Sequence, residues 1–209
     1  MKRAICSVFV AMVSVVCANA QEESSHFAFQ VGAGFTQGVG RTGSSTDTGW
    51  NTSLGFGYNF NSYVGAMINV NDSELGINSA TLANIGVPGG NINMLTATLD
   101  PVIHLTPHSH FDLYVTSGGG MFRRYEDFSA PTVAVVYGFN PFLGFYPAAV
   151  PATEILSSYS VIKPGVDVGV GVALGTKWHG KFYAEAKYNK MYDGLQHTDY
   201  LPVTFGFRW

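Results

Sequence analysis

Residues 201–209, with the sequence LPVTFGFRW, decide the fold class. Apolar side chains occupy every second position of this segment: Leu201, Val203, Phe205, Phe207 and Trp209. Such alternation is typical of a β-strand with one apolar face. Because the segment stays apolar up to its aromatic last residue, we expect that face to meet another sheet or a lipid.

The first twenty residues have the pattern of a secretory signal peptide. Lys2 and Arg3 precede an apolar run over 4–17, and the small residues Ala18 and Ala20 mark a cleavage position before Gln21. The run is shorter than the about 18 apolar residues that a membrane anchor needs. The sequence therefore predicts a cleaved signal over 1–20 and a single domain over 21–209.

The composition of the domain is unusual for a protein in water. Charged residues are 12% of the chain, about half the usual share, whereas aromatic residues reach 14% and there are 25 glycines. Both cysteines, Cys6 and Cys17, lie within the signal, so no disulfide is expected. Removing Lys2 and Arg3 from the eleven basic residues leaves nine, against fourteen acidic ones. The domain has no basic cluster, which argues against a nucleic-acid partner.

Period-two alternation recurs in seven further segments, which makes eight candidate strands. These segments cover 26–36, 49–60, 63–71, 94–105, 111–125, 160–175 and 181–192. In the segment 111–125, three consecutive glycines at 118–120 leave the inward and outward faces undetermined. No stretch after the signal is long and apolar enough for a transmembrane helix.

The face opposite the apolar one indicates the architecture. It carries Gly, Ser, Asn and Thr with isolated charges of both signs, whereas a soluble sandwich has a charged outer face. An apolar outside and a small polar inside are the arrangement of a closed, antiparallel transmembrane β-barrel. An eight-stranded barrel has no wide pore, because side chains fill its interior. We expect the isolated charges to pair in this lumen: Asp100, Lys163, Asp167, Glu185, Lys187 and Arg208.

The lengths of the connections alternate along the chain. Short turns are expected at 61–62, 106–110 and 176–180, and longer connections near 37–48, 71–93, 126–158 and 193–199. Transmembrane barrels place short turns on the periplasmic side and long loops on the extracellular side. Both termini are therefore expected in the periplasm, which fits an even number of strands.

These features together resemble the small OmpA/OmpX-type outer-membrane β-barrels of Gram-negative bacteria. The resemblance rests on the signal, the eight alternating segments, KFYAEAKY at 181–188 and TFGFRW at 204–209, and it covers nearly all of 21–209. It implies a monomer in contact with outer-membrane lipids. In this family the aromatic residues of the last strand, here Phe205, Phe207 and Trp209, resemble the signal that the barrel-assembly machinery reads. That ending usually carries Phe, from which Trp209 departs.

The connection over 126–158 is unusually apolar. Its candidate surface residues are Val133, Val135, Tyr137, Phe139, Phe142, Phe145 and Tyr146. Either the fifth and sixth strands extend past the membrane, or 132–139 and 142–150 form a hairpin, which would give ten strands if it joined the barrel. Pro147 and the lack of alternation favour eight strands. The functional interpretation is an apolar surface for a ligand, a partner protein or a lipid.

Residues for chemistry are few. A lipid-A acylase or deacylase needs a Ser, a His and a carboxylate near the membrane boundary, for which Asp72, Ser73 and His197 are the candidates. His108 and His110 supply only two possible metal ligands. The sequence therefore predicts no catalytic residue, no cofactor and no metal, and a structural or surface-interaction role. The alternatives are passage or binding of small apolar molecules, as in OmpW-like barrels, and a lipid-A-modifying enzyme.

Overall fold

The computed structural model describes residues 26–107, 109, 111–142, 144–175, 180–194 and 196–209. The chain forms eight strands and two short helices: β1 (Phe27–Gly38), α1 (Gly40–Ser45), β2 (Gly49–Asn59), β3 (Val64–Gly76), α2 (Ser79–Ile85), β4 (Gly89–His104), β5 (Phe111–Asn140), β6 (Gly144–Gly175), β7 (Lys181–Asp193) and β8 (Gln196–Arg208). The predicted signal over 1–20 and the residues His108 and His110 lie outside the described residues.

The eight strands close into an antiparallel barrel. Each strand pairs with its neighbours in the sequence, and β1 also pairs with β8 from Gln30↔Arg208 to Gly38↔Tyr200. Beyond this ladder, the backbones of Phe29 and Trp209 exchange hydrogen bonds of 2.7 and 2.9 Å. The predicted eight-stranded barrel is confirmed. The ten-strand alternative is wrong, because residues 132–150 extend β5 and β6 and add no strand to the ring.

Side chains alternate between the interior and the outer surface of the barrel. On β4, Leu99 and Ile103 are exposed, whereas Asp100 and Val102 are buried. The structure also gives the faces of β5 that the sequence left undetermined: Asp112, Tyr114 and Thr116 point inward, and Phe111, Leu113 and Met121 point outward. The outer surface is therefore an apolar band around a largely polar interior, as a barrel in lipid requires.

The two ends of the barrel differ. The turn end carries the connection 60–63, the residues 105–107 and 109 after β4, and the chain positions His26 and Trp209. The predicted turn residues 176–179 lie outside the described residues. The loop end carries α1, α2 and the extension of β5 and β6. The Asn78 side chain caps α2 by accepting a 2.9 Å hydrogen bond from the Thr81 N–H, and Gly86 ends the helix with φ 73°. Neither helix in the described ranges is long and apolar enough to span a membrane.

Three of the four long connections are shorter than predicted, because strands continue beyond the barrel. β3 and β4 pair up to Gly76↔Asn91, and β7 and β8 pair up to Asp193↔Gln196. β5 and β6 pair up to Asn140↔Gly144. Much of 71–93, 126–158 and 193–199 is therefore strand, since pairing gives the backbone polar groups partners that an irregular loop would lack.

The extension of β5 and β6 is a two-stranded ribbon. β4 last pairs with β5 at Gly89↔Ser129, and the β6–β7 ladder begins at Gly165↔Met191. A register shift near Phe128 leaves Leu156 without a cross-strand partner, so a bulge marks the base of the ribbon. Above it, residues 130–140 and 144–154 pair only with each other. Eleven residues at about 3.3 Å each extend about 36 Å. Residues 130–154 are called the ribbon below.

Three consecutive glycines of β5 give a test of the strand faces. A Cβ atom on the inward-facing Gly120 would overlap the carbonyl oxygen of Ala97, whereas on the outward-facing Gly119 its nearest neighbour would be the Gly165 oxygen at 3.2 Å. We expect Gly120→Ala to lower the free energy of unfolding by about 1–3 kcal/mol. Gly119→Ala should change it little. Urea unfolding of the protein in lipid vesicles measures both, and the opposite order would mean that the faces are exchanged.

Candidate functional site

The interior of the barrel is filled by side chains in three layers. An apolar cluster lies toward the turn end and consists of Met67, Val102, Tyr114, Ala173 and Tyr183. A second cluster lies toward the loop end and consists of Leu75, Met94, Phe122, Met191 and Tyr200. Glycines make room for the rings: a Cβ on Gly171 would overlap Tyr114, and one on Gly165 would lie 2.7 Å from Phe122. A polar layer lies between the two clusters.

This polar layer is organised around Lys187. Its Nζ donates a hydrogen bond to Asp100 Oδ2 and lies 3.8 Å from Asp167 Oδ1 and 3.9 Å from Glu185 Oε1. Asp100 Oδ2 also accepts hydrogen bonds from Asn69 at 2.5 Å and from Thr98 at 3.1 Å. Lys187 is 3% exposed and Asp100 is fully buried. Both charges are thus removed from water, and each depends on the other for compensation. Asp100, Asp167, Glu185 and Lys187 are called the central network.

Arg208 connects the central network to the cluster at the turn end. Its Nε and Nη2 donate hydrogen bonds of 3.1 and 2.7 Å to Gln30 Oε1, and Nη2 lies 3.7 Å from Glu185 Oε2. The guanidinium carbon lies 4.4 Å from the centre of the Tyr114 ring and 5.3 Å from that of Tyr183. The Tyr114 hydroxyl donates a 2.9 Å hydrogen bond to Glu185. These contacts fill the bore on the turn side of Lys187.

Lys163 lies apart from the other five predicted lumen residues. Its Nζ is 3.2 Å from Asp193 Oδ1 at the loop end, and its side chain is 39% exposed. Arg124 joins this group, with Nη2 3.3 Å from Asp193 Oδ2 and Nη1 donating to Thr198 Oγ1 at 2.8 Å. The sequence missed Arg124, because the faces of its strand were undetermined. The alternation from Asp112 onward would have placed it inside.

A small cavity opens at the turn end. It has a volume of about 130 Å³ and is lined in part by Phe27, Met67, His104, Lys181, Arg208 and Trp209. Asp112 Oδ2 lies 2.8 Å from His104 Nδ1 and accepts a 3.0 Å hydrogen bond from Lys181 Nζ. The sequence missed this His–Asp–Lys group. The described residues that line the cavity include no Ser, Thr or Cys, so they offer no hydroxyl or thiol nucleophile.

The candidate residues for a lipid-modifying enzyme are not brought together. The Ser73 hydroxyl is buried in the interior and accepts a 3.2 Å hydrogen bond from Thr36. His197 belongs to β8, with β1 and β2 between it and β3, and its side chain is 51% exposed, 3.7 Å from Asp199. Asp72 accepts a 2.7 Å hydrogen bond from Asn93 instead. Across the described ranges, no three His, Cys, Asp or Glu side chains form a group that could hold a metal ion.

The ribbon carries all seven residues predicted as an apolar surface, and all seven are exposed. One face presents the pairs Val133↔Pro151, Val135↔Ala149, Tyr137↔Pro147 and Phe139↔Phe145. The other face presents the pairs Thr132↔Ala152, Ala134↔Val150 and Gly138↔Tyr146. Phe142 lies in the turn at the tip and is 95% exposed. Above its base, where Glu154 pairs with Ala130, the ribbon therefore presents apolar residues on both faces and at its tip.

Polar residues of β5 lie between the ribbon and the apolar band of the barrel. On the outer face of β5, Arg123, Tyr125 and Asp127 follow Met121 and pair with Ile162, Ser160 and Ser158. Arg123 Nε donates a 3.1 Å hydrogen bond to Ser160 Oγ. On β6 the same stretch is partly apolar, because Ile155, Leu156, Tyr159 and Ile162 are exposed. The interruption between the ribbon and the band is therefore polar on β5 and only partly polar on β6.

The three aromatic residues predicted as an assembly signal lie on one face of β8 at the turn end. The ring of Phe207 lies 5.3 Å from that of Phe182 and 5.2 Å from that of Trp209. Phe205 is 53% exposed. These rings extend the outer apolar band to the end of the ladder that closes the barrel.

Comparison with known proteins agrees with this architecture. The family model for the outer membrane protein beta-barrel domain matches residues 8–208. The structure is similar to Neisserial surface protein A, with 12% identity, a TM-score of 0.56, and coverage of 90% of this chain and 98% of that one. Ail, the attachment invasion locus protein of Yersinia pestis, has 14% identity and a TM-score of 0.49, with coverage of 89% and 100%. No curated protein sequence matches the chain.

The match spans most of the chain, and the barrel has the same eight-stranded ring that the sequence predicted. The resemblance to small outer-membrane barrels is thereby confirmed. This chain belongs to the outer membrane protein β-barrel family.

Proposed function

We propose that the protein acts at the cell surface, where the ribbon is a non-enzymatic interaction element and the barrel is its anchor. The observation that carries this proposal is the ribbon itself, which extends about 36 Å above its base with exposed apolar residues on both faces. Isolated exposed apolar residues are ordinary, but contiguous patches mark interaction sites. The filled interior supports an anchoring role for the barrel, because it leaves no wide pore.

The proposed setting is the outer membrane of a Gram-negative bacterium, with the turn end in the periplasm and the loop end outside the cell. Residues 1–20 act as a cleaved signal, and the barrel-assembly machinery inserts the domain. The folded protein is a monomer surrounded by outer-membrane lipids. It uses no cofactor and contacts no nucleic acid.

The test removes the ribbon and keeps the barrel. Replacing residues 131–151 by Asn-Gly leaves a four-residue loop, the inserted pair with Ala152 and Thr153, between the paired residues Ala130 and Glu154, a loop length that hairpins accommodate. Cells that display either form are compared for attachment to one another and to cultured epithelial monolayers. We expect the shortened form to lose attachment while it keeps the altered gel migration of a folded barrel in unboiled samples. Equal attachment by both forms would contradict the proposal.

The cavity at the turn end favours a second candidate function, the binding of small apolar molecules. Its volume of about 130 Å³ would admit a molecule about the size of benzene. Phe27, Met67, Val102 and Trp209 form the apolar part of a lining that also contains His104, Lys181 and Arg208. Passage through the bore is opposed by the two apolar clusters and the central network. Saturable binding of benzene to the protein in lipid vesicles, weakened by filling the cavity with Ala28→Phe, would favour this candidate over the surface role.

A further inference from the structure

The ribbon lacks the two-sided character of a strand that docks on a protein. Residues 128–153 contain no charged side chain, and large apolar groups occupy both faces. A sheet that meets a protein on one face normally keeps the other face polar for water. Because both faces carry apolar side chains, the ribbon is better matched to an apolar medium that can contact both faces at once.

The tip concentrates aromatic side chains. Phe139 and Phe145 face each other with ring centres 5.2 Å apart, and Tyr137 and Phe145 are 75% and 76% exposed. Phe142 projects from the turn between the two strands. Aromatic rings are enriched at the boundary between the headgroups and the acyl chains of a bilayer.

Prolines on the ribbon oppose the addition of a further strand. Pro131 lies in β5, and Pro147 and Pro151 lie in β6. A proline within a strand is tolerated where its nitrogen faces away from the paired strand. These prolines therefore remove donors from the free edges of the ribbon, which another chain would need for strand addition.

A second copy of the ribbon is too small a partner. Two strands make a face about 10 Å wide and about 36 Å long, or about 360 Å². Two copies packed face to face would bury about 700 Å² in total, which is below the about 1,200 Å² of stable protein interfaces. Each copy would also leave its other apolar face in water.

We infer that the tip of the ribbon inserts into a second lipid surface that faces the outer membrane. This inference rests on the proposed surface function and names its partner. The ribbon is about 36 Å long, and the charged residues Arg123 and Asp127 of β5 lie below it, so the tip lies away from the protein's own membrane. Because the ribbon has no charge from 128 to 153, its binding depends on apolar contact and needs no anionic lipid.

The experiment measures how the full protein, folded in lipid nanodiscs, floats with phosphatidylcholine vesicles. The tip variant combines Phe139→Ser, Phe142→Ser and Phe145→Ser. The matched base variant combines Ile155→Ser, Leu156→Ser and Tyr159→Ser, which removes three exposed apolar side chains just below the ribbon. We expect the wild type and the base variant to float to a similar extent. The tip variant should bind the vesicles at least about tenfold more weakly. Raising NaCl from 0.1 to 0.5 M should leave flotation unchanged.

Other results would overturn the inference. Flotation that requires anionic lipid or disappears in 0.5 M NaCl would indicate electrostatic attachment. Pairing of the protein-containing nanodiscs that an excess of empty phosphatidylcholine nanodiscs does not compete away would indicate a second copy. If the wild type does not float but removal of 131–151 abolishes cell attachment, the surface function stands and its partner is a protein. If neither assay depends on the ribbon, both proposals fail.

Discussion

Lys187→Met should lower the free energy of unfolding by about 3–5 kcal/mol, because it leaves buried carboxylates without their partner. Lys187 is the only cation of the central network, and its Nζ lies within 3.9 Å of Glu185 as well as near Asp100 and Asp167. Methionine keeps most of the side-chain volume of lysine, so the decrease in the free energy of unfolding measures mainly the removal of the positive charge. Urea unfolding in lipid vesicles measures the change.

Two further variants isolate the cause. Lys163→Met removes a lysine whose side chain is 39% exposed and should cost less than about 1 kcal/mol. The double variant Lys187→Met with Asp100→Leu removes both members of the hydrogen-bonded pair and should recover part of the lost stability. If Lys187→Met is as mild as Lys163→Met, the central network does not contribute as proposed.

Replacing Phe207 and Trp209 by Ser should prevent most of the chain from reaching the folded state in cells. Each change removes lipid-facing apolar area worth about 1.5–3 kcal/mol for a large side chain. Both residues also lie where β8 closes on β1, and both belong to the proposed assembly signal. The measurement is the fraction of protein that migrates as a folded barrel in unboiled samples of the cell envelope.

The control for this prediction removes apolar area elsewhere. Leu99→Ser with Ile103→Ser takes two exposed side chains from the lipid face of β4 and leaves the last strand intact. Purified chains are also refolded into vesicles without assembly machinery. A recognition role predicts that the Phe207 and Trp209 variant fails in cells more than in vesicles. If both variants lose the same fraction of folded protein in cells and in vesicles, the effect is due to lost apolar burial in lipid alone, and the recognition role is contradicted.

The architecture was predictable because lipid imposes one rule on every residue of a spanning strand. Phe29, Val31 and Phe35 must face out, so Gln30 and Gly34 must face in, and the same alternation recurs in each strand. Only in the segment 111–125 did the sequence leave the two faces undetermined, since Gly118 and Gly120 have no side chain that would identify the inward face. Asp112 and Tyr114 resolve it in the structure.

The contacts inside the barrel could not be predicted in the same way. Lys187 meets Asp100 across 87 positions of sequence, and Lys163 pairs with Asp193 and not with the charges nearer the midplane. These partners depend on the stagger between strands and on the closure of the ring, which alternation within one strand does not specify. Extension of the fifth and sixth strands past the membrane was one of the predicted alternatives. The sequence left its length open, because lipid does not enforce pairing beyond the membrane.

The independence of the ribbon has an evolutionary consequence. Residues 130–140 and 144–154 pair only with each other. The effects of substitutions there on the free energy of unfolding are therefore expected to be independent of, and additive with, those of substitutions in the barrel core. Selection removes core mutations that lower the stability of the barrel below the threshold that function requires. Substitutions in the ribbon, above the bulge at Leu156, change that stability little and are not removed on this ground. Selection can therefore alter the reach and the chemistry of the surface element while the spanning part of the molecule stays constant. The barrel can then serve as a constant host for an insert that is free to change in sequence.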